Sequence, residues 1–184
     1  MLRNSLEDWG AVAKTLHWLV ACLILLQLGL GLAAVSWHLS PTKLELFIWH
    51  KSIGMLILLL VLTRLAWRVA GPTPDLPPDT ARWERLAART SHLLLYLLML
   101  ALPLSGWVIN SAANIALKLF WVVPLPDIAA PNKPLEDAAA LVHVVLVVAL
   151  LLLLLVHIAA ALRHHYIKRN RVLTRMLPFA RHPL

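Results

Sequence analysis

His17, His50, His92, His143 and His157 each fall inside a long apolar run, where an ionisable side chain is costly and marks a functional site by default. His38 lies in a loop, His164 and His165 close the last apolar run, and His182 is in the C-terminal tail. Almost no Asp or Glu shares the runs with the five, so pairing with carboxylates does not explain them. The clearest instance is "LVHVVLVVALLLLLLVH", residues 141–157, where His143 and His157 interrupt an otherwise aliphatic stretch. Their separation of fourteen residues returns a helix to within about 40° of the same face. It also sets the two imidazoles about 21 Å apart along the axis, some two thirds of a hydrocarbon core of about 30 Å. Two imidazoles at two depths on one face suit paired ligation by residues from facing helices.

The elements that must position these residues are membrane helices. The chain has 184 residues, 60% of them hydrophobic, with a mean hydropathy of +0.76. Four runs, about 13–34, 46–69, 88–109 and 139–165, are long enough to span, which takes roughly 20 helical residues. None has the alternation of barrel strands, so helices satisfy the backbone. The expectation is an all-α, integral membrane four-helix bundle forming a single membrane domain over 1–184. The first run is longer than the apolar stretch of a signal peptide and follows Glu7 and Asp8, so it reads as a retained helix.

Charge sets the orientation. Of 17 Lys and Arg residues, only Lys43, Lys51, Lys118 and Lys133 fall in the first and third loops. The other thirteen gather in the tails and the second loop, which predicts both termini cytoplasmic. The net charge of +8 is thus a topology signal, and no basic stripe interleaved with aromatics suggests nucleic-acid binding. Cys22 is the one cysteine, which excludes an intramolecular disulfide and a C-x-x-C-H haem attachment. The eight tryptophans fall at or near helix ends and read as an aromatic belt.

With this topology the histidines sort by depth. His50 and His143 open helices 2 and 4 from the outer side and form one pair. His157 lies at the inner level, where either His17 or His92 can partner it. Facing imidazoles at two depths are what two low-spin b-type haems need, and bundle cores are where such sites are built. A zinc site would want four converging ligands, and non-haem iron usually wants a carboxylate.

Between the helices, Pro41 is expected to break the first loop, "SWHLSPTKLEL". The second loop, "GPTPDLPPDTARWERLAART", begins too rich in Pro and Gly for helix, then offers Asp79 or Thr80 as an N-cap for helix 3. The third, about 110–137, contains "IALKLFWVVPLP", too short to span and too apolar for water. It is expected to lie over the outer face as an interfacial or re-entrant segment. Pro103 falls inside helix 3, where neighbouring helices can absorb a kink.

Four ordered blocks resemble the bacterial cytochrome b561 family: "TLHWLV", "IWHKSIGMLILLLVLTRLAWR", "RTSHLLLYLLMLALPLSGWV" and "LVHIAAALRHHYIKRNRVLTRMLP". Together they cover nearly the whole chain, with the loop between helices 3 and 4 the weakest part. The resemblance implies a bacterial inner-membrane cytochrome with two non-covalent haems b. It implies His50 and His143 as outer-haem ligands and His17 and His157 as inner-haem ligands, leaving His92 for a propionate or a quinone pocket. Asn170 departs from the family pattern, in which an acidic residue often follows the "HH" pair.

Members of the family resemble a superoxide:ubiquinone oxidoreductase, which oxidises superoxide at the periplasmic face and reduces membrane ubiquinone. That reading makes Lys51, beside His50, the candidate catalytic contributor by attracting the superoxide anion, with Lys43, Lys118 and Lys133 as further outer cations. Arg163 and His164 are candidates for haem propionates or for protons to reduced quinone, and His165 follows them. A second reading is a cytochrome b subunit that passes electrons between quinone and a hydrogenase or dehydrogenase iron–sulfur partner. A third is a haem-free membrane metal-binding or transport protein. It would need ligands continuous across the bilayer, whereas 144–156 is wholly aliphatic.

Overall fold

In a computed structural model, described over residues 1–78 and 80–178, the chain forms four long helices. They are α1 (Ala11–Ser36), α2 (Pro41–Val69), α3 (Arg82–Ala112) and α4 (Lys133–Tyr166), followed by a short 3-10 turn at Thr174–Met176. Each helix is long and apolar enough to cross a membrane. They run alternately up and down, so the start of α1 and the end of α4 sit at one end, the proximal end, with the distal end opposite. All four helices begin before the expected runs, and α2 and α4 start on a capping side chain.

Pro41 begins α2 rather than breaking the loop before it. A first-turn residue needs no N–H donor, and the Ser40 hydroxyl accepts from the Lys43 N–H at 3.4 Å. Asn132 caps α4 in the same way, accepting from the Leu135 N–H at 3.0 Å. The N-cap of α3 is Ala81, not Thr80; Asp79 lies outside the described residues, as do Arg181 and His182. Ala81 has no capping side chain, and Glu84 supplies the compensation by accepting the Ala81 N–H at 3.2 Å.

The apolar segment between α3 and α4 is a hairpin, β1 (Lys118–Leu119) paired antiparallel with β2 (Val123–Pro124). Phe120 and Trp121, in its turn, have positive φ angles of 47° and 64°. Tertiary contacts hold them there. The Phe120 N–H donates to Ser52 Oγ at 2.8 Å, and both rings meet Trp49 of α2 edge-on. The hairpin thus packs on the distal start of α2.

Val20, Ile24, Ile53, Ile57, Val61, Leu95, Met99 and Leu150 form the buried core, with residues from all four helices. In every helix these residues fall between the distal and proximal polar positions, so the core is an apolar plug separating two levels. Ala139 and Leu150 are the buried residues of α4, whereas Leu141, Val144, Val148, Leu152 and Leu155 of the same helix are exposed. A surface so apolar is costly in water and ordinary against lipid chains.

The proximal end is tied by charge. The Glu84 side chain, 6% exposed, takes Arg163 Nη1 at 2.7 Å and Lys168 Nζ at 3.4 Å, joining the start of α3 to the end of α4. Beyond α4 the chain folds back over α1, where Trp18 Nε1 donates to the Met176 carbonyl at 2.8 Å. Arg171 and Arg175 approach Asp8 at 3.5 and 3.9 Å.

Candidate haem sites

The fold brings the intramembrane histidines together at two levels. At the distal level His50 of α2 faces His143 of α4, with ring centroids 6.3 Å apart and planes at 68°. At the proximal level His17 of α1 and His157 of α4 are also 6.3 Å apart, with planes at 62°. His92 of α3 reaches the same His157 ring at 5.7 Å. These spacings can be compared with what an iron between two imidazoles requires. With metal–nitrogen bonds of about 2.0–2.1 Å and about 1.1–1.2 Å from ring centre to nitrogen, the centroids should lie about 6.4 Å apart. Both α4 pairings, His50–His143 and His17–His157, match that separation, and a bis-imidazole iron makes no demand on the twist between the rings. His92–His157 is shorter than a bridged pair requires.

Hydrogen bonding adds a second test. The buried Nδ1 atoms of His17 and His50 have no partner within the protein. Such orphaned nitrogens are costly in an apolar core, and a metal bound at Nε2 would not by itself satisfy them. His143 is oriented instead by Ser105 of α3, whose Oγ lies 2.9 Å from Nδ1. That hydroxyl also donates to the Leu102 carbonyl at 2.8 Å, so it accepts from Nδ1–H and leaves the Nε2 lone pair for a metal. Gly31 makes room for the His50 ring, while Gly106 lies at ordinary contact distance from the His143 ring. A Cβ on Gly31 would lie 2.8 Å from His50 Cε1, and one on Gly106 would lie 3.7 Å from His143 Cε1. The donor set is neutral imidazole in pairs, and among the described residues no cluster of three or more ligating groups forms a closed metal site. The residues fit haem b.

The remaining candidates take up varied positions. Lys51 is half-buried, its Nζ 5.9 Å from the Phe47 ring centre. Lys43 donates to the carbonyls of Val35 and Trp37, and Lys133 pairs with Glu136 and Asp137 at 3.2 and 2.8 Å. Lys118 is exposed on β1. Arg163 is engaged by Glu84, as described above. His164 Nδ1 lies 2.9 Å from the Asn170 side-chain nitrogen, which donates to it. An acidic residue at 170 could not donate, so Asn170 selects the tautomer with Nε2 protonated. His165 packs edge-on against Tyr166. Sequence reasoning passed over Ser105, Gly31 and Glu84. The first two carry no sign of their role because their partners lie on other helices, but a carboxylate beside a membrane helix was a visible signal.

A four-helix membrane bundle with imidazoles paired across its core at two depths is the architecture of a b-type membrane cytochrome. The chain belongs to the prokaryotic cytochrome b561 family, which matches it over residues 8–179. It is 33% identical to cytochrome b561 homolog 2 of Escherichia coli (strain K12) over 180 residues, covering 95% of this chain and 93% of that protein. It is 29% identical to the probable superoxide oxidase CybB of Yersinia pestis over 179 residues, covering 95% and 98%. Cytochrome b561 homolog 1 of Escherichia coli (strain K12) is 28% identical over 139 residues, covering 76% and 78%. The protein is therefore a multi-pass bacterial membrane cytochrome of electron transfer, and haem b is the family's cofactor.

Proposed function

We propose that the protein moves electrons across the bacterial inner membrane between two haems b, taking them from superoxide at the distal face and delivering them to ubiquinone. The distal face is periplasmic in this reading, and both termini are cytoplasmic, in keeping with the bias of Lys and Arg toward the proximal end. The observation that carries the reading is the repeat of one imidazole spacing, 6.3 Å, at both levels of α4. His50 and His143 hold the distal haem; His17 and His157 hold the proximal one. Each bound haem supplies a one-electron ferric/ferrous couple.

The residues around these couples do the rest. The plug of Ile, Val, Leu and Met keeps water and ions from the interval between the levels. Ser105 holds the His143 ring in one tautomer. Two superoxide anions give up one electron each and leave as O2, and the quinone takes those two electrons with two protons. Lys51, next to His50, gives the distal mouth the positive charge that draws an anion in. The similarity to a probable superoxide oxidase supports superoxide as donor.

The test is to mix oxidised protein with a superoxide source and follow haem reduction, then add ubiquinone and follow re-oxidation. Reduction should be abolished by superoxide dismutase. It should slow several-fold in Lys51→Gln and depend on salt, as a steered encounter does. A protein that superoxide does not reduce, and that co-purifies with an iron–sulfur protein able to reduce it, would place the donor in a partner dehydrogenase instead.

A further inference from the structure

The proximal level contains a fourth polar residue that the histidine pairs do not use. On α2, Arg64 follows His50 by fourteen residues, the same step that separates His143 from His157 on α4. Each helix therefore contributes one side chain at this level: His17, Arg64, His92 and His157. The charge of Arg64 lies within electrostatic reach of all three imidazoles. Arg68 lies one turn further toward the proximal end on the same face. The two guanidiniums sit 5.7 and 5.9 Å from the ring centre of Tyr96 on α3.

Neither arginine has an anionic partner among the described residues. The nearby carboxylates serve other cations: Glu84 holds Arg163 and Lys168, and Asp8 faces Arg171 and Arg175. The Tyr96 hydroxyl is buried and also without a partner. Asn4, Trp9 and Trp67 line the same crevice as these side chains. Two half-buried cations and a buried hydroxyl donor are placed together beside Trp9 and Trp67 with no counter-charge among the described residues. Planar guanidinium groups suit carboxylates in particular.

We propose that Arg64, Arg68 and Tyr96 form the seat for the propionate carboxylates of the haem held at the proximal level. The assignment rests on the two-haem reading above. It gives the propionates to α2 and α3 and leaves Arg163 to its structural pairing with Glu84. The two fixed cations also raise the midpoint potential of the proximal haem above what the same site would have without them, since they favour the reduced state.

The experiment uses the purified holoprotein carrying haem labelled with 13C at the propionate carboxyls, with Arg64→Gln, Arg68→Gln and Arg64→Lys as variants. Haem content, redox titration and redox-difference infrared spectra are the readouts. Both glutamine variants should shift the labelled carboxylate bands and lower the midpoint potential of one haem only, the one lost in His157→Ala. Arg64→Lys should keep most of the potential while still shifting the bands. Selective loss of that haem in Arg64→Gln supports the same seat; if Arg64→Gln does not fold, Arg68→Gln and Arg64→Lys decide it. Unchanged bands and potentials would overturn the proposal. So would unchanged bands with loss of a co-purifying phospholipid, which would assign the arginines to a lipid phosphate. Fewer than two haems in the unsubstituted protein would instead refute the two-haem reading, whatever the arginines do.

Discussion

Replacing His143 with alanine should halve the haem content, from about two per chain to about one, and the remaining haem should keep its potential and spectrum. Replacing His157 should remove the other haem and spare the first. The expectation follows from the layout of α4, which carries both residues about 21 Å apart with the apolar plug between them. Loss of an axial imidazole at one level leaves the ligands and packing of the other level in place. The bundle should survive either change, because its core residues lie between the levels rather than at them.

The proximal level allows a sharper version, since His157 touches two imidazoles, His17 at 6.3 Å and His92 at 5.7 Å. His17→Ala is expected to lose the proximal haem, whereas His92→Ala should retain both haems with a shifted proximal potential. The reverse result would make His92 the ligand. Loss of both haems from His143→Ala or His157→Ala alone would show that the two sites are not independent.

A valine at position 31 should be nearly as damaging to the distal site without touching a ligand. Gly31 of α1 lies directly against the His50 ring: a Cβ there would stand 2.8 Å from Cε1, 3.2 Å from Nδ1 and 3.8 Å from Nε2. Such an approach cannot be relieved by a flexible chain end, because the ring is the group that would have to move. His50 cannot swing away without abandoning its 6.3 Å spacing to His143. Gly31→Val is therefore expected to cut distal haem occupancy to well under half, with the proximal haem intact, as read by haem content and redox titration. Gly29 is the control on the same helix. A Cβ there meets nothing within 4 Å, so Gly29→Ala should be neutral or stabilising by up to about 1 kcal/mol. Full retention of both haems and both potentials in Gly31→Val would mean that His50 does not hold the distal iron in this position.

The helices were legible because their signal is composition over some twenty residues, which tertiary contacts cannot disguise. The two depths were legible because α4 spells them out in one unbroken segment. Partner choice was not legible in the spacing, and only the family resemblance chose His17 over His92. His17 and His92 lie at the same depth on different helices, and only packing places the rings at distances that differ by a few tenths of an ångström. Pro41 reads as a breaker in isolation but initiates α2 once Ser40 caps it, a case of one residue having opposite meanings at the first turn and in the interior. The hairpin around Phe120 and Trp121 has no strand pattern of useful length; its shape comes from Ser52 and Trp49 on α2. Arg163 looked free to meet a haem because its partner, Glu84, lies seventy-nine residues earlier in the chain. Conversely, the fourteen-residue step from His50 to Arg64 was open to inspection and acquires meaning only when α2 and α4 are seen side by side.

The most direct test of the central claim, one haem at each of two levels of a single membrane bundle, is the haem count of the purified protein taken together with its dithionite-reduced spectrum and redox titration. Two non-covalent haems b per chain are expected, both low-spin, titrating as two couples. A colourless protein, or a single haem with one couple at full occupancy, would contradict it.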